Sequence, residues 1–521
     1  MTAPAAPSSS ALASAPYAAR LSRHMIETAW LLPAVAFAAL TYYPITRNFF
    51  FADDFLNLYK IRNDPAFTYL VTPNGGHMLV TRNAVFYLTF HVFGISPEGY
   101  YWIAFLTHLL NVGLLYRLVR VATGDAPLAS FGAALWGASP LSEGTLGWYA
   151  VYGQVLVATA LLVILGQVHR LSDAHRPPSR AMRGGWYVLA LIAATSFGTG
   201  IAVAVLLPFV LVLLLPEWRR RWWNPPLISL LVVLPVLYVV LNKLYARWAG
   251  DDILARTPWV ALLADPVAIV SIWIKLLAYG LTRLLFGFYV PPGFGPPLWY
   301  VVAGTFAAVA LVIAWRSPSA LRRQLAAYLL LAVGCYGIIA AARAVLLLSI
   351  APNFVTELPR YHYVGQLVLT VSLCLVLARA AAALPQRSKG VLVAAWYGLT
   401  LAAYLYLGPS IDHHDKARQD THAALESMRW TIARAPKGKP IFIGNRAFAS
   451  LPFPPAEFPG WAAVFVIFRP TNATVDGRPI YFVDGDPGVH AAAPRGKRTA
   501  TLFVTPEQWE AARPAAAPNS P

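Results

Sequence analysis

Charge is scarce in this chain: Asp, Glu, Lys and Arg supply 12% of its 521 residues, about half the share of an ordinary soluble protein. With 58% hydrophobic residues and a mean hydropathy of +0.54, a string of soluble domains is excluded and most of the chain belongs in lipid. Cysteine is nearly absent. Cys335 and Cys374 both lie in apolar segments, which excludes a disulfide framework and a thiolate metal site. Acidic residues are outnumbered, 23 against 41 Lys and Arg, leaving a formal charge of +18. No basic stripe falls on a soluble fold, so nucleic acid is excluded as a partner. The excess suits basic loops facing anionic membrane lipids. Also missing are a phosphate-binding loop, a Gly-rich dinucleotide turn, zinc-ligand spacing and a Gly-x-Ser-x-Gly elbow. No internal repeat is detectable.

What the chain does have is long apolar runs. A spanning helix needs about 20 mostly apolar residues, and the sequence predicts eleven: 26–45, 99–121, 126–142, 146–168, 185–199, 200–216, 227–246, 298–315, 324–347, 361–381 and 390–408. Arginines order them. Arg117 and Arg120 follow the second, Arg170, Arg176, Arg180 and Arg183 the fourth, and Arg219, Arg220 and Arg221 the sixth. Arg316, Arg322 and Arg323 follow the eighth, and Arg387 and Lys389 the tenth. Every even-numbered exit is basic, which predicts a cytoplasmic N-terminus and odd-numbered exits facing the periplasm or exterior. Residues 1–25, rich in Ala, Pro and Ser, read as a disordered cytoplasmic tail. The apolar segment 263–290 breaks the alternation if counted, so it reads as a re-entrant or interfacial element of the outer face. Gly198-Thr199-Gly200 either breaks one helix or separates two.

The predicted fold is therefore an α-helical polytopic membrane protein, with its transmembrane domain over 26–410. Past Pro409 the chain turns polar. Residues 411–513 predict a small extracytoplasmic α/β domain: a helix near 413–434, then short β-rich runs at 441–443, 463–468, 480–483 and 501–504. Residues 514–521 read as a disordered tail.

Candidate chemistry gathers in the predicted outer loops. The first, 46–98, opens with the adjacent carboxylates Asp53 and Asp54. A carboxylate at a membrane–water boundary can act as general base or hold a divalent cation such as Mg2+ or Mn2+ through oxygen ligands. Either can instead cap a helix starting at Phe55. Lys60, His77 and Arg82 follow in the same loop, Gly75-Gly76 before His77 permitting close approach of a ligand. Arg82 has the planar fork that pairs with phosphate. The segment from Leu79 to Phe93 can lie in the interface as an amphipathic helix. In the second loop, Glu143 follows Pro140 at a depth where an acid faces a cavity or a partner. In the third, Arg360-Tyr361-His362-Tyr363 sets an arginine and two tyrosine hydroxyls where a lipid-linked phosphate would lie. Asp412-His413-His414-Asp415 is no metal cluster, because consecutive residues at a helix start diverge.

On these residues the chain resembles the GT-C glycosyltransferases, polytopic enzymes that take sugars from polyprenyl-phosphate-linked donors. Pro140 with Glu143, and Arg360-Tyr361-His362-Tyr363, are similar to the HP-x-x-x-E and E-R-Y-x-Y patterns of the transmembrane, tetratricopeptide-repeat-containing O-mannosyltransferases and their bacterial relatives. Ser139 stands where that pattern has His, Leu358-Pro359 separates Glu357 from Arg360, and Phe197-Gly198-Thr199-Gly200 replaces an acidic segment of the family. The tetratricopeptide repeats are missing. The resemblance implies a catalytic acid in the first loop, Asp53 or Asp54. It also implies sugar transfer from a lipid-linked donor to a glycan, lipid or protein hydroxyl at the outer face, with inversion, Arg360 and Arg82 or Lys60 stabilising the departing phosphate. An O-antigen-ligase-like transferase and a lipid or sugar transporter are the competing expectations.

Overall fold

The computed structural model describes residues 28–73, 77–215, 225–249, 265–289, 295–347 and 352–407, with short pieces at 421–423, 425–426, 441–444, 474–475, 478–483 and 503–504. Helices dominate. In chain order they are α1 (Thr28–Arg47), α2 (Asp53–Asn63), α3 (Ala66–Val71), α4 (Val80–Phe93), α5 (Pro97–Thr123), α6 (Ala126–Gly137), α7 (Glu143–Leu146), α8 (Gly153–Asp173) and α9 (Arg180–Ser196). There follow α10 (Gly198–Leu214), α11 (Pro225–Ala249), α12 (Pro266–Phe286), α13 (Pro296–Trp315), α14 (Ser319–Leu347), α15 (Pro352–Glu357), α16 (Tyr363–Ala380) and α17 (Gln386–Leu407). Among the described residues, eight helices are long and apolar enough to cross a membrane. The chain is an α-helical polytopic membrane protein.

Burial separates the helices into two sets. Every residue of α16 from Tyr363 to Val376 is buried, so this helix is apolar all round because protein surrounds it. On α13 only Trp299 and Ala310 are buried, and its open apolar face belongs to lipid. Small residues bring the inner helices close. A side chain at Gly132 of α6 would collide with the Cys374 sulfur of α16, and one at Gly137 would lie 2.7 Å from Val112 of α5.

Two sequence expectations need correcting. The run 126–142 is not one span: α6 stops at Gly137 after 12 residues, about 18 Å of helix against a hydrocarbon core of about 30 Å. It is apolar because eleven of its twelve residues are buried. The segment 263–290, expected to be re-entrant or interfacial, contains one uninterrupted 21-residue helix, α12, which meets the length and hydropathy of a span. At Gly280 the missing side chain admits Tyr336 and His362, the latter 2.9 Å from where a Cβ would stand. The alternatives for 185–216 resolve into two 17-residue helices, α9 and α10, separated at Phe197, which is extended at φ −161° and ψ 160°. The helix expected after Leu79 is present as α4.

Beyond residue 407 the described pieces are few. Strands β1 (Ile441–Gly444), β2 (Thr474–Val475), β3 (Arg478–Val483) and β4 (Phe503–Val504) form a small mixed sheet in which β3 pairs in parallel with β1 and β4 and antiparallel with β2. Only 421–423 and 425–426 of the expected 413–434 helix are described, so these pieces do not establish an α/β domain. The run 463–468, both expected tails and Asp412 to Asp415 lie outside the described residues. His422 stacks on Phe49 at 4.5 Å, which brings this part of the chain against the first loop.

Candidate functional site

Three loops far apart in sequence meet at one end of the bundle. α2 opens with Asp53 and Asp54 in its first turn, where negative charge is favoured by the helix dipole. Just before them Ala52 takes φ 45° and ψ −116°, a strained conformation for alanine costing about 1–3 kcal/mol. Asp54 is fully buried. Its Oδ2 accepts from the Phe51 N–H at 3.0 Å, and its Oδ1 accepts from the Ala150 N–H of the second loop at 2.6 Å. The Tyr101 hydroxyl lies 3.3 Å from Oδ2 and 2.9 Å from the Phe49 carbonyl. Asp54 thus braces the chain just before α2 against the second loop. Asp53 is half-buried.

The second loop carries the brace onward. Phe51 meets Trp148 edge-on at 5.4 Å, and the Arg360 guanidinium lies over the Trp148 ring at 4.9 Å. Arg360 also faces the Tyr361 ring at 5.2 Å, each contact being worth about 1 kcal/mol at a partly buried site. Its backbone is clamped: a side chain at Gly144 would meet the Arg360 nitrogen at 2.6 Å, and Gln154 Nε2 donates to the Arg360 carbonyl. Glu143, in the short α7 beside this clamp, is buried.

Arg82, on α4, is 1% exposed. Its Nη1 donates to Asn57 Oδ1 at 2.6 Å, an oxygen that also accepts from the Tyr69 hydroxyl at 3.1 Å. Asn57 in turn donates to the Asp53 carbonyl at 2.6 Å. Burial pushes the Arg82 guanidinium below its ordinary range, while Tyr69, Asp53 and Asp54 oppose that shift. The arginine therefore lies within electrostatic reach of both carboxylates. His77 packs against the α9–α10 break: its ring is 6.2 Å from that of Phe197, and its Nδ1 lies 3.2 Å from the Tyr238 hydroxyl of α11.

Two of the expected residues are placed elsewhere. Lys60 lies two turns along α2, where it opposes the upward shift that burial gives the Asp64 carboxyl. Tyr363 is fully buried, its hydroxyl 2.8 Å from His108 Nδ1. His108 Nε2 faces the Gly137 carbonyl at 2.7 Å, so Nε2 carries the proton and the tyrosine donates to Nδ1. His362 repeats this logic, with Nε2 at 2.8 Å from the Thr356 carbonyl and Nδ1 at 3.2 Å from the Tyr336 hydroxyl. Burial pushes His362 down to about 4, the Thr356 carbonyl opposing that shift. These are neutral packing histidines.

A divalent cation does not fit the acidic pair well. N–H groups face both oxygens of Asp54, taking part of the lone-pair capacity that a cation would draw on. Among the described residues no cluster of three or more metal-ligating side chains occurs. Sequence reasoning missed Gln154, which holds the Arg360 carbonyl from the first turn of α8. The available signal was an amide in the first turn of a helix whose following twelve residues carry one polar side chain, Thr159. Comparison of the chain with protein-family models, curated proteins and solved structures returns no match, so the arrangement of these side chains carries the functional argument.

Proposed function

We propose that the protein is a glycosyltransferase that moves a sugar from a polyprenyl-phosphate-linked donor to an acceptor hydroxyl at the outer face of a bacterial inner membrane. The observation that carries this reading is the division of labour in the acidic pair. Asp54 spends both oxygens on the protein, while half-buried Asp53 stands one residue away beside the buried Arg82. Asp53 takes the proton of the attacking hydroxyl. The oxygen then attacks the anomeric carbon opposite the phosphate, and that centre inverts. Arg82 and Arg360 stabilise the departing phosphate anion, which needs charge stabilisation more than a general acid. Membrane lipids and the donor's polyprenyl chain face the apolar helices around the site.

The test is a lipid-linked-sugar transfer assay on purified Asp53→Asn and Asp54→Asn proteins matched for yield and unfolding temperature. Asp53→Asn is expected to lose 10²–10⁴-fold in rate, the range of a general base, while remaining folded. Full activity in that variant would remove Asp53 from the mechanism. Full activity combined with dependence on the arginines would favour an O-antigen-ligase-like transferase, and substrate movement across vesicles without transfer would favour a transporter.

A further inference from the structure

Helices α1 and α5 run antiparallel, and contacts at three depths fix their register. The Tyr43 ring meets those of Trp102 and Phe105 at 6.0 and 6.3 Å. One step deeper, Tyr42 meets His108 edge-on at 5.4 Å. Deeper still, Val112 and Ala38 both press on Gly137 of α6, 2.7 and 3.1 Å from where its side chain would start. The same register sets Leu40 opposite Leu106 and Ala36 opposite Leu110 on the outward side. These four residues, with Tyr43 and Trp102, are exposed. The two helices therefore share an open apolar seam, with aromatic rings at its head and aliphatic walls below.

The head of the seam is charged. Arg47, just beyond Tyr43, is exposed, its guanidinium 5.7 Å from the Tyr43 ring. Glu98, one turn before Trp102, is exposed as well. Neither side chain makes an ion pair among the described residues. Arg47 does not belong to the basic side of the bundle, because exposed Arg117 lies about 22 Å farther along α5 than Trp102. One cation and one anion thus flank the top of an apolar seam, at the level where an aromatic belt meets lipid headgroups.

That combination selects a ligand. A lipid with a net anionic head suits Arg47 but is repelled by Glu98, and an uncharged head uses neither. A phosphoethanolamine head meets both, and its acyl chains can follow the two walls. We propose that the α1–α5 seam binds one phosphatidylethanolamine-type lipid, its phosphate on Arg47 and its ammonium group on Glu98. Tyr101, next to Trp102, points inward, with its hydroxyl 3.3 Å from Asp54 Oδ2. The bound lipid therefore braces the turn of α5 that supports the buried carboxylate. This site stands whether or not the protein transfers sugar.

The full-length protein, purified in detergent and stripped of lipid, is titrated separately with dioleoyl phosphatidylethanolamine, dioleoyl phosphatidylglycerol, dioleoylglycerol and farnesyl phosphate. Native mass spectrometry counts the lipids retained, and thermal unfolding reads the stabilisation that binding confers. Phosphatidylethanolamine is expected to be held as a single copy and to raise the unfolding temperature most. Arg47→Gln should weaken its binding about tenfold or more, the range of a hydrogen bond to a charged group. Glu98→Gln should erase the preference over phosphatidylglycerol while leaving binding itself in place. Both substitutions are at exposed positions, and the unfolding curves without lipid check that the variants fold. Equal retention of the two phospholipids by wild type overturns the proposal, as does unchanged binding in Arg47→Gln. Equal binding of dioleoylglycerol would reduce the seam to an apolar surface and overturn it too. Tighter binding of farnesyl phosphate would assign the seam to an isoprenoid phosphate instead.

Discussion

Asp53 and Asp54 are chemically identical neighbours, and what sets Asp54 apart is one distant amide. The sequence identifies the pair as costly beside an apolar helix, but the Ala150 N–H that engages Asp54 comes from 96 positions away, and no spacing rule reaches that far. Stability separates the two. Asp54→Ala leaves the buried N–H groups of Ala150 and Phe51 without acceptors, at about 1–3 kcal/mol each, so its unfolding temperature in detergent should fall well below that of wild type. Asp53→Ala, at a half-buried position, should cost less than Asp54→Ala. His362 supplies a pH signature. Its native value is about 4 against an ordinary 6.5, so between those values the unfolded state binds more protons and stability falls as pH falls. Wild-type protein should lose resistance to unfolding from about pH 6.5 to 4, and His362→Asn should show a shallower slope over that window.

At the scale of elements, hydropathy marks where helices are but not what surrounds them. The expected runs at 99–121, 298–315 and 361–381 correspond closely to α5, α13 and α16, because a run of about 20 apolar residues is the same signal in any setting. The misreadings at α6 and α12 have separate causes: counting α12 breaks the arginine alternation, whereas α6 has the composition of a span. An apolar stretch enclosed by protein and one enclosed by lipid have the same composition, so burial cannot be read from it. Glycine substitution distinguishes the two settings. Gly280→Ala on α12 would drive a methyl into Tyr336 and His362 and should cost about 1–3 kcal/mol by overpacking. Gly304→Ala on lipid-facing α13 meets nothing within 4 Å, and should be neutral or stabilising by up to about 1 kcal/mol through the better helix propensity of alanine. Thermal unfolding of the two variants side by side checks the contrast.

For the whole molecule, the distribution of charge makes topology testable without redesigning the protein. Arg117 and Arg170, near the C-terminal ends of α5 and α8, and Arg176, just past α8, are exposed, the pattern that positive-inside insertion produces. The carboxylates, Trp148 and Arg360 meet around the first loop instead. If the arginine side is cytoplasmic, the site opens to the outside, where a lipid-linked donor would be met. Cys335 and Cys374 are fully buried, so the native protein should be silent to a membrane-impermeant maleimide, and single cysteines can be added to the natural sequence. Phe67→Cys, at a position 75% exposed in the first loop, should label in intact cells. Arg176→Cys, exposed between α8 and α9, should label only after the membrane is opened. The reverse pattern would invert the protein and move the site to the cytoplasm, where a nucleotide-activated sugar becomes the natural donor and the polyprenyl-phosphate reading fails.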